Sequence, residues 1–334
     1  MRLMTNSVAQ HYGNDGIVSR IISALSEAGF DIDNLKPDVF AGADEFHIGG
    51  RKGSEFVAKA LNMQPGQQLL DIGSGIGGPA RFIANTLGVI VEGIDLTPEF
   101  VEAAVEITEM VGMTEQVSFQ VGSATSIPFD DDTFDASTML HVGMNISDKG
   151  LLFSEMARVT KPDGSIVVYD VMRTGEDDLV FPMPWSSSSE YSFVDTVDAY
   201  VKAAENAGLE LLTVDDHAEM ALSFFSNPPS EPPPVNLGHL MGTGMPEMVA
   251  LFNGFGGAAS ALVAASEVFR RINENDLPEG LELHVAWTAI GLSALVGWVT
   301  LTGSLLAMMK LKGGVEIFGT WYRTPTWGPE WLNY

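Results

Sequence analysis

The ten residues Leu70–Pro79, LDIGSGIGGP, constrain this chain more than any other stretch. An apolar run, Gln68 to Ile72, leads into a glycine-rich turn, and a segment of helical character opens at about Gly78. A strand ending in such a turn fits a parallel α/β sheet. There the backbone at the strand's carboxyl end can lie close against a nucleotide-like ligand, because glycine has no Cβ. Two spacings overlap. Gly73, Gly75 and Gly78 satisfy G-x-G-x-x-G, a weak pattern by itself. Asp71, Gly73, Gly75 and Gly77 satisfy D-x-G-x-G-x-G, and the acid separates the two readings. A carboxylate at the strand's end repels a pyrophosphate and attracts a cation.

The surrounding pattern supports the sheet. Strand-like runs at 68–72, 89–94, 117–121, 134–140 and 165–171 alternate with helix-like runs at 51–61, 78–87, 98–111, 149–160 and 195–207. That alternation predicts parallel strands with helices on both faces. The segment 209–214 (LELLTV) reads as a sixth strand, and 1–45 as short helical pieces, broken at Gly13, Gly16 and Pro37, that cap a pocket.

Charge narrows the partners. The chain carries 17 Lys+Arg against 44 Asp+Glu, a formal net charge of −27. Such a surface has little with which to release counterions from nucleic acid, so no nucleic-acid partner is expected. The absence of cysteine excludes disulfides, a thiol nucleophile and sulfur-ligated zinc, and no metal site is predicted. The first residues, MRLMTNSVAQHYGND, have no apolar stretch of the kind a secretory signal needs.

The acids choose the cofactor. A carboxylate at Asp71 suits the cationic amino and sulfonium groups of S-adenosylmethionine, so the residues favour methyl transfer over hydride transfer. The second strand ends at Asp95, 18 residues after Gly77, where a carboxylate can accept both ribose hydroxyls. The fourth strand ends at Leu140-His141, on the same carboxyl edge.

With VEGIDLT (91–97), IPFDDDTFD (127–135) and RVTKPDG (158–164), the glycine turn resembles the class I S-adenosylmethionine-dependent methyltransferases over about residues 8 to 225. Within that class it is similar to enzymes of the ubiquinone-biosynthesis and sarcosine/dimethylglycine type. The resemblance implies that Asp71, Gly73, Gly75 and Gly77 hold the methionine part, with Asp95 and Leu96 on the ribose. It places Ser123 and Ala124 beside the adenine, and His141 beside the methionine part or the acceptor. Ser123 departs from the family's usual Asp. Glu45-Phe46-His47-Ile48-Gly49-Gly50-Arg51 matches an F-H-x-G-G segment of the same relatives, and Tyr12 resembles a tyrosine that closes over the methyl group. Phe181–Trp185 looks like their substrate-covering loop. Tyr12, His47 and Trp185 are therefore the expected acceptor contacts, and His47 and His141 the candidate catalytic groups. Arg51 and Arg173 are the cations placed to meet an anionic acceptor.

Beyond Asn227–Val235 (NPPSEPPPV) the character changes. The uncharged stretches Met248–Ser266 and Val285–Met309 each reach the roughly 18-residue length of a membrane-spanning helix and are rich in small residues. Met245–Gly313 resembles two consecutive membrane helices of the proton-translocating NAD(P) transhydrogenase beta subunit. The expected organisation is a methyltransferase domain at 1–226, a Pro-rich linker at 227–245, a two-helix transmembrane hairpin at 246–312 and a tail at 313–334. In fold class this is α/β, a Rossmann-like class I methyltransferase sheet followed by an apolar helical hairpin.

Two readings of the tail stay open. In one, a transhydrogenase fragment is fused to the enzyme. In the other, the hairpin is an insertion, and Val315–Tyr322 returns as the sheet's last antiparallel strand. The expected function is methyl transfer to a small-molecule N- or O-nucleophile, in a cytoplasmic domain anchored to the inner membrane by membrane contact through 248–309. The rival is a membrane-anchored chain whose N-terminal domain is a non-catalytic ligand-binding module.

Overall fold

The sequence divides into two units, Met1–Gly242 and Thr243–Tyr334. The computed structural model describes residues 16–175, 179, 181, 183, 185, 186, 188–221 and 233–235, and the backbone of 315–317 and 320–322. Tyr12, the two uncharged stretches and most of the Pro-rich segment lie outside the described residues.

In the first unit, α1 (Ile17–Glu27) follows left-handed Gly16 and buries Ile17, Val18, Ile21 and Leu25 at helical spacing. Short 3-10 turns at Ile32–Asn34 and Pro37–Phe40 and the one-turn α2 (Ala41–Asp44) lead to α3 (Arg51–Leu61). Among the described residues the segment 16–50 is thus one regular helix plus short pieces that bring 41–50 over the sheet's carboxyl edge. The alternating part follows as β1 (Gln68–Ile72), α4 (Gly78–Leu87), β2 (Ile90–Asp95), α5 (Pro98–Met110) and β3 (Val117–Val121). It continues with β4 (Phe134–Leu140), α6 (Lys149–Val159), β5 (Thr160–Tyr169) and α7 (Val197–Asn206).

The strands lie in the order β3-β2-β1-β4-β5, all parallel. Successive residues of β1 serve opposite faces, as the pleat requires. Leu69 packs with Val57, Leu61, Ala80 and Ile83 beneath α3 and α4. Leu70 and Ile72 pack with Ile94, Met139, Leu152 and Met156 beneath α6 and α7. Since the chain winds outward from β1 through β3 and then returns to β4, the order reverses between β1 and β4. A crevice at the carboxyl edge of such a switch point is where open α/β sheets hold ligands.

Two expectations are corrected. Strand β5 starts at Thr160, which pairs with Phe134, whereas Ser165 pairs with Ala136. Residues 161–164, left between the expected helix at 149–160 and the expected strand at 165–171, are therefore an irregularity inside the strand, with Asp163 left-handed at φ 63°. Residues 209–214 form no strand: Leu211, Leu212 and Val214 are 51%, 83% and 55% exposed, so the β-like composition lacks the ladder and burial a strand needs. In the second unit, β6 (Val315–Ile317) and β7 (Thr320–Tyr322) form an antiparallel pair in register Val315 to Tyr322.

Candidate cofactor and acceptor site

The glycine turn is built by backbone. The N–H groups of Gly73 and Ser74 both donate to the Ile94 carbonyl, at 2.8 and 3.0 Å, and Gly77 N–H donates to Ser74 O at 2.9 Å. Gly73, Gly75 and Gly77 have φ of 73°, 55° and 85°, torsions that a Cβ disfavours. Their surroundings differ. A Cβ on Gly73 would lie 2.2 Å from Val142 Cγ2, and one on Gly77 2.4 Å from Phe119 Cζ. A Cβ on Gly75 would meet none of the described residues within 4 Å. Gly75 is therefore the motif glycine with open space beside it among the described residues.

Two carboxylates flank this turn. Asp71 is 2% exposed, and its Oδ2 has no hydrogen-bond partner among the described residues. Burial above all, then the charges of Asp95 and Glu45, pushes its carboxyl up to about 7. Asp95 accepts from Gly75 N–H through Oδ2 at 2.9 Å and from Thr97 N–H through Oδ1 at 2.8 Å. Burial raises it too, against these hydrogen bonds. Leu96 follows directly, half-buried. Ser123 spends its hydroxyl inside its own turn, 3.0 Å from Thr125 Oγ1, and Ala124 packs against the apolar cluster of Ile94 and Ile127.

A cap built by side chains covers the edge. Glu45 is buried, accepts from Ser54 Oγ at 2.5 Å, and forms an ion pair with Arg51 Nη1 at 3.0 Å. Burial and then Asp44 push its carboxyl up to about 7. His47 Nε2 donates to the Gly50 carbonyl at 2.9 Å, which leaves Nδ1 as its lone-pair nitrogen. Its ring fits only because position 53 is glycine, where a Cβ would lie 2.8 Å from His47 Cδ2. His141, left-handed at φ 53°, stacks on Tyr169 with centroids 5.4 Å apart. Tyr169 in turn donates to Ile48 O at 3.0 Å. The two histidine rings meet edge-on at 6.0 Å. Burial lowers His47 to about 4 and His141, which the His47 charge lowers further, to about 3, so both are neutral at pH 7.

The fold thus brings His47, His141, Asp71, Asp95 and the glycine turn to one edge. It does not bring Trp185 there by any described contact: its indole N–H donates to Ser192 Oγ at 3.0 Å, within its own loop. Arg51, expected to meet an anionic acceptor, is engaged by Glu45 and Asp38 and lies over the Phe82 ring. Arg173 N–H and Nε donate to the carbonyls of Asp195 and Gly175.

Sequence reasoning missed Tyr169, Arg81 and Asp170. Asp170 follows β5 directly, accepts from Tyr200 O–H at 2.9 Å, and is pushed up to about 6 by burial. Its place just past a strand's carboxyl end was the available signal. A lone arginine on the apolar face of a helix was the signal at Arg81.

This fold and site define a Rossmann-like methyltransferase architecture. Residues 70–168 match the model of a family described as methyltransferase domain, and residues 238–323 match that of the NAD(P) transhydrogenase beta subunit. The second match includes β6 and β7. The chain is 29% identical to Methyltransferase GfsG of Streptomyces halstedii over 51% of its own length and 62% of that protein's. It is 32% identical to Phosphoethanolamine N-methyltransferase 1 of Zea mays over 52% and 34%. The matched part therefore spans from about a third to under two thirds of these relatives. Among solved structures, geranyl diphosphate C-methyltransferase from Streptomyces coelicolor A3(2) superposes with a TM-score of 0.52, at 21% identity, over 67% of this chain and 85% of that one. That likeness concerns the fold.

Proposed function

We propose that the N-terminal unit binds S-adenosylmethionine at the glycine turn and directs its methyl group to a small-molecule acceptor beneath the cap. One observation carries this reading: the turn that holds Gly75, the motif glycine open to a ligand, begins at a buried Asp71 whose Oδ2 has no hydrogen-bond partner among the described residues. An uncompensated carboxylate of this kind suits a cationic ligand. The relatives named above are methyltransferases, and a solved neighbour holds S-adenosyl-L-homocysteine.

When bound, S-adenosylmethionine supplies an electrophilic methyl group on a sulfonium. Asp71 and the turn would fix the methionine part, with Asp95 and Leu96 at the ribose and Ser123 and Ala124 at the adenine. The protein's remaining task is to hold a nucleophile in line and exclude water. His47, neutral and desolvated, orients an amine or hydroxyl acceptor by accepting its hydrogen at Nδ1, while neutral His141, whose Nδ1 accepts from Ile48 N–H, offers its Nε2–H. A proton lost on transfer finds a stronger base in Glu45 than in either ring. Tyr12 and Trp185 would contact the acceptor from the lid.

Calorimetric titration of S-adenosylmethionine into wild type and Asp71→Ala tests the reading. Heat with wild type that disappears in the variant supports it; silence with wild type overturns it. Release of S-adenosylhomocysteine across an acceptor panel identifies the nucleophile. The transhydrogenase match at 238–323 favours a second feature, anchoring of this unit at the cytoplasmic face of the inner membrane through 248–309. Among the described residues no helix is long and apolar enough to cross a membrane, and the two uncharged stretches fall outside them. A full chain that stays monodisperse in detergent-free buffer removes the anchor.

A further inference from the structure

Arg81 makes more connections than its place in a helix requires. Its side chain is 1% exposed, on the buried face of α4 with Ala80 and Ala84. Nη2 donates to Asp44 Oδ2 at 3.0 Å and to the Ile76 carbonyl at 2.7 Å. Nη1 donates to Ala104 O at 3.3 Å and to Thr108 Oγ1 at 3.0 Å. One guanidinium therefore joins the cap, the glycine turn itself and the helix that follows Asp95.

The neighbouring glycines make room for it. A Cβ on Gly77 would lie 2.6 Å from Arg81 Nη1, and one on Gly78 would lie 2.2 Å from the Asp44 carbonyl oxygen. Two glycines of the turn thus serve the contact between cap and arginine.

Stability alone explains this pair poorly. Desolvating two ions offsets much of their attraction, and an apolar pair of equal volume often holds a core as well. A planar guanidinium with several fixed donors supplies direction, because it sets the relative placement of everything it touches. The Ile76 carbonyl lies one residue beyond Gly75, the open side of the turn. Asp44 lies one residue before Glu45, whose charge acts on Asp71.

We propose that Arg81 is a positioning residue that couples the cap at 41–50 to the glycine turn, so that cofactor binding and ordering of the cap reinforce each other. The proposal rests on the cofactor reading above. Through this link, ligand at the turn restrains Ile76, Arg81 and Asp44 in sequence, and with them the segment that carries Glu45 and His47.

Hydrogen exchange of the full chain with and without S-adenosylhomocysteine tests the coupling. In wild type the ligand slows exchange both at 73–78 and at 45–52. In Asp44→Asn and in Arg81→Lys it slows exchange at 73–78 only, and its Kd rises roughly tenfold, within the range of ordinary coupling between sites. Thr108→Val, which removes one of the two bonds to α5 and leaves the one to Ala104 O, keeps the cap response. Where a single change leaves a bare buried ion and the chain unfolds, the double variant Asp44→Asn/Arg81→Met carries the test. Cap protection equal to wild type in the variants overturns the coupling, even if their melting temperature falls, because that pattern marks a structural role alone. A wild-type chain that gives no heat with the ligand defeats the cofactor reading instead, and the two failures are told apart by that titration.

Discussion

The glycine turn and the cap above it meet at one edge, yet they are made differently. The turn is eight contiguous residues, Asp71–Gly78, held by its own backbone N–H groups, which donate to the carbonyls of Ile94 and Ser74 and to the Asp95 carboxylate. The cap is held by side chains from distant places. Tyr169 reaches Ile48 across 121 residues, and Arg81 reaches Asp44 across 37. A backbone-built site tolerates change around it but not within it. A side-chain-built site can be altered one contact at a time, which suits the half of a pocket that chooses the acceptor.

Substitutions at Asp71 and His47 should break this comparison most strongly if it is wrong. Asp71→Ala is expected to weaken S-adenosylmethionine binding by about 100-fold, equivalent to about 2.7 kcal/mol. His47→Ala should leave that affinity within about threefold and act on turnover instead. Calorimetry and S-adenosylhomocysteine release separate the two. A cap variant that loses cofactor affinity as Asp71→Ala does would erase the distinction.

The glycines sharpen it further. Gly73→Ala meets both a left-handed torsion and Val142, so its melting temperature should fall well below that of Gly75→Ala. Gly75→Ala bears only the torsional cost of about 1 kcal/mol and should lose roughly tenfold in cofactor affinity with the fold kept. Thermal melts paired with titrations read both.

Proton linkage gives a smaller effect with a definite sign. Asp71 is raised to about 7 in the folded chain, above the ordinary carboxylate value near 4. The folded state therefore holds that proton more tightly, and Asp71's share of stability falls as pH rises from about 4 to about 7. His47 and His141 act oppositely: their lowered values favour the fold above about 6.5, and that share is lost as pH falls. The difference between wild type and Asp71→Asn isolates the carboxylate. The variant should gain relative stability between pH 5 and pH 8 in the ligand-free state. Binding of a cation ionises Asp71, so affinity should rise through about pH 7 with proton release, measured in buffers of different ionisation heat. Ser123→Asp restores the acid usual in the family and should tighten binding only about threefold, through a charged hydrogen bond to the cofactor. Competition titration can resolve that.

The same contrast governs what the sequence discloses. Strand β1, β3, β4 and the helix at 78–87 lie where apolar runs and glycines place them, because each rests on local pattern and burial together. The segment 209–214 misleads because composition without a neighbouring ladder cannot make a strand. Thr160 joins β5 early because Phe134 stands opposite, a fact no local window contains. In the site, Asp71 and Asp95 are legible from their distance to the glycines. Tyr169, Asp44 and Arg81 are not, since their partners are fixed only when the sheet, cap and helices assemble.

His141 illustrates what this arrangement asks of anyone who re-engineers the chain. Its backbone sits where L-residues are uncomfortable, at the very point where its ring faces the cap. A programme selecting only for heat tolerance would put glycine at such a position, relieving on the order of 1 kcal/mol of torsional strain. The sturdier protein would then lack one of the two imidazoles over the crevice. Hardening this domain and preserving its chemistry are competing aims at residue 141, and a stabilised version should be sought elsewhere on its surface.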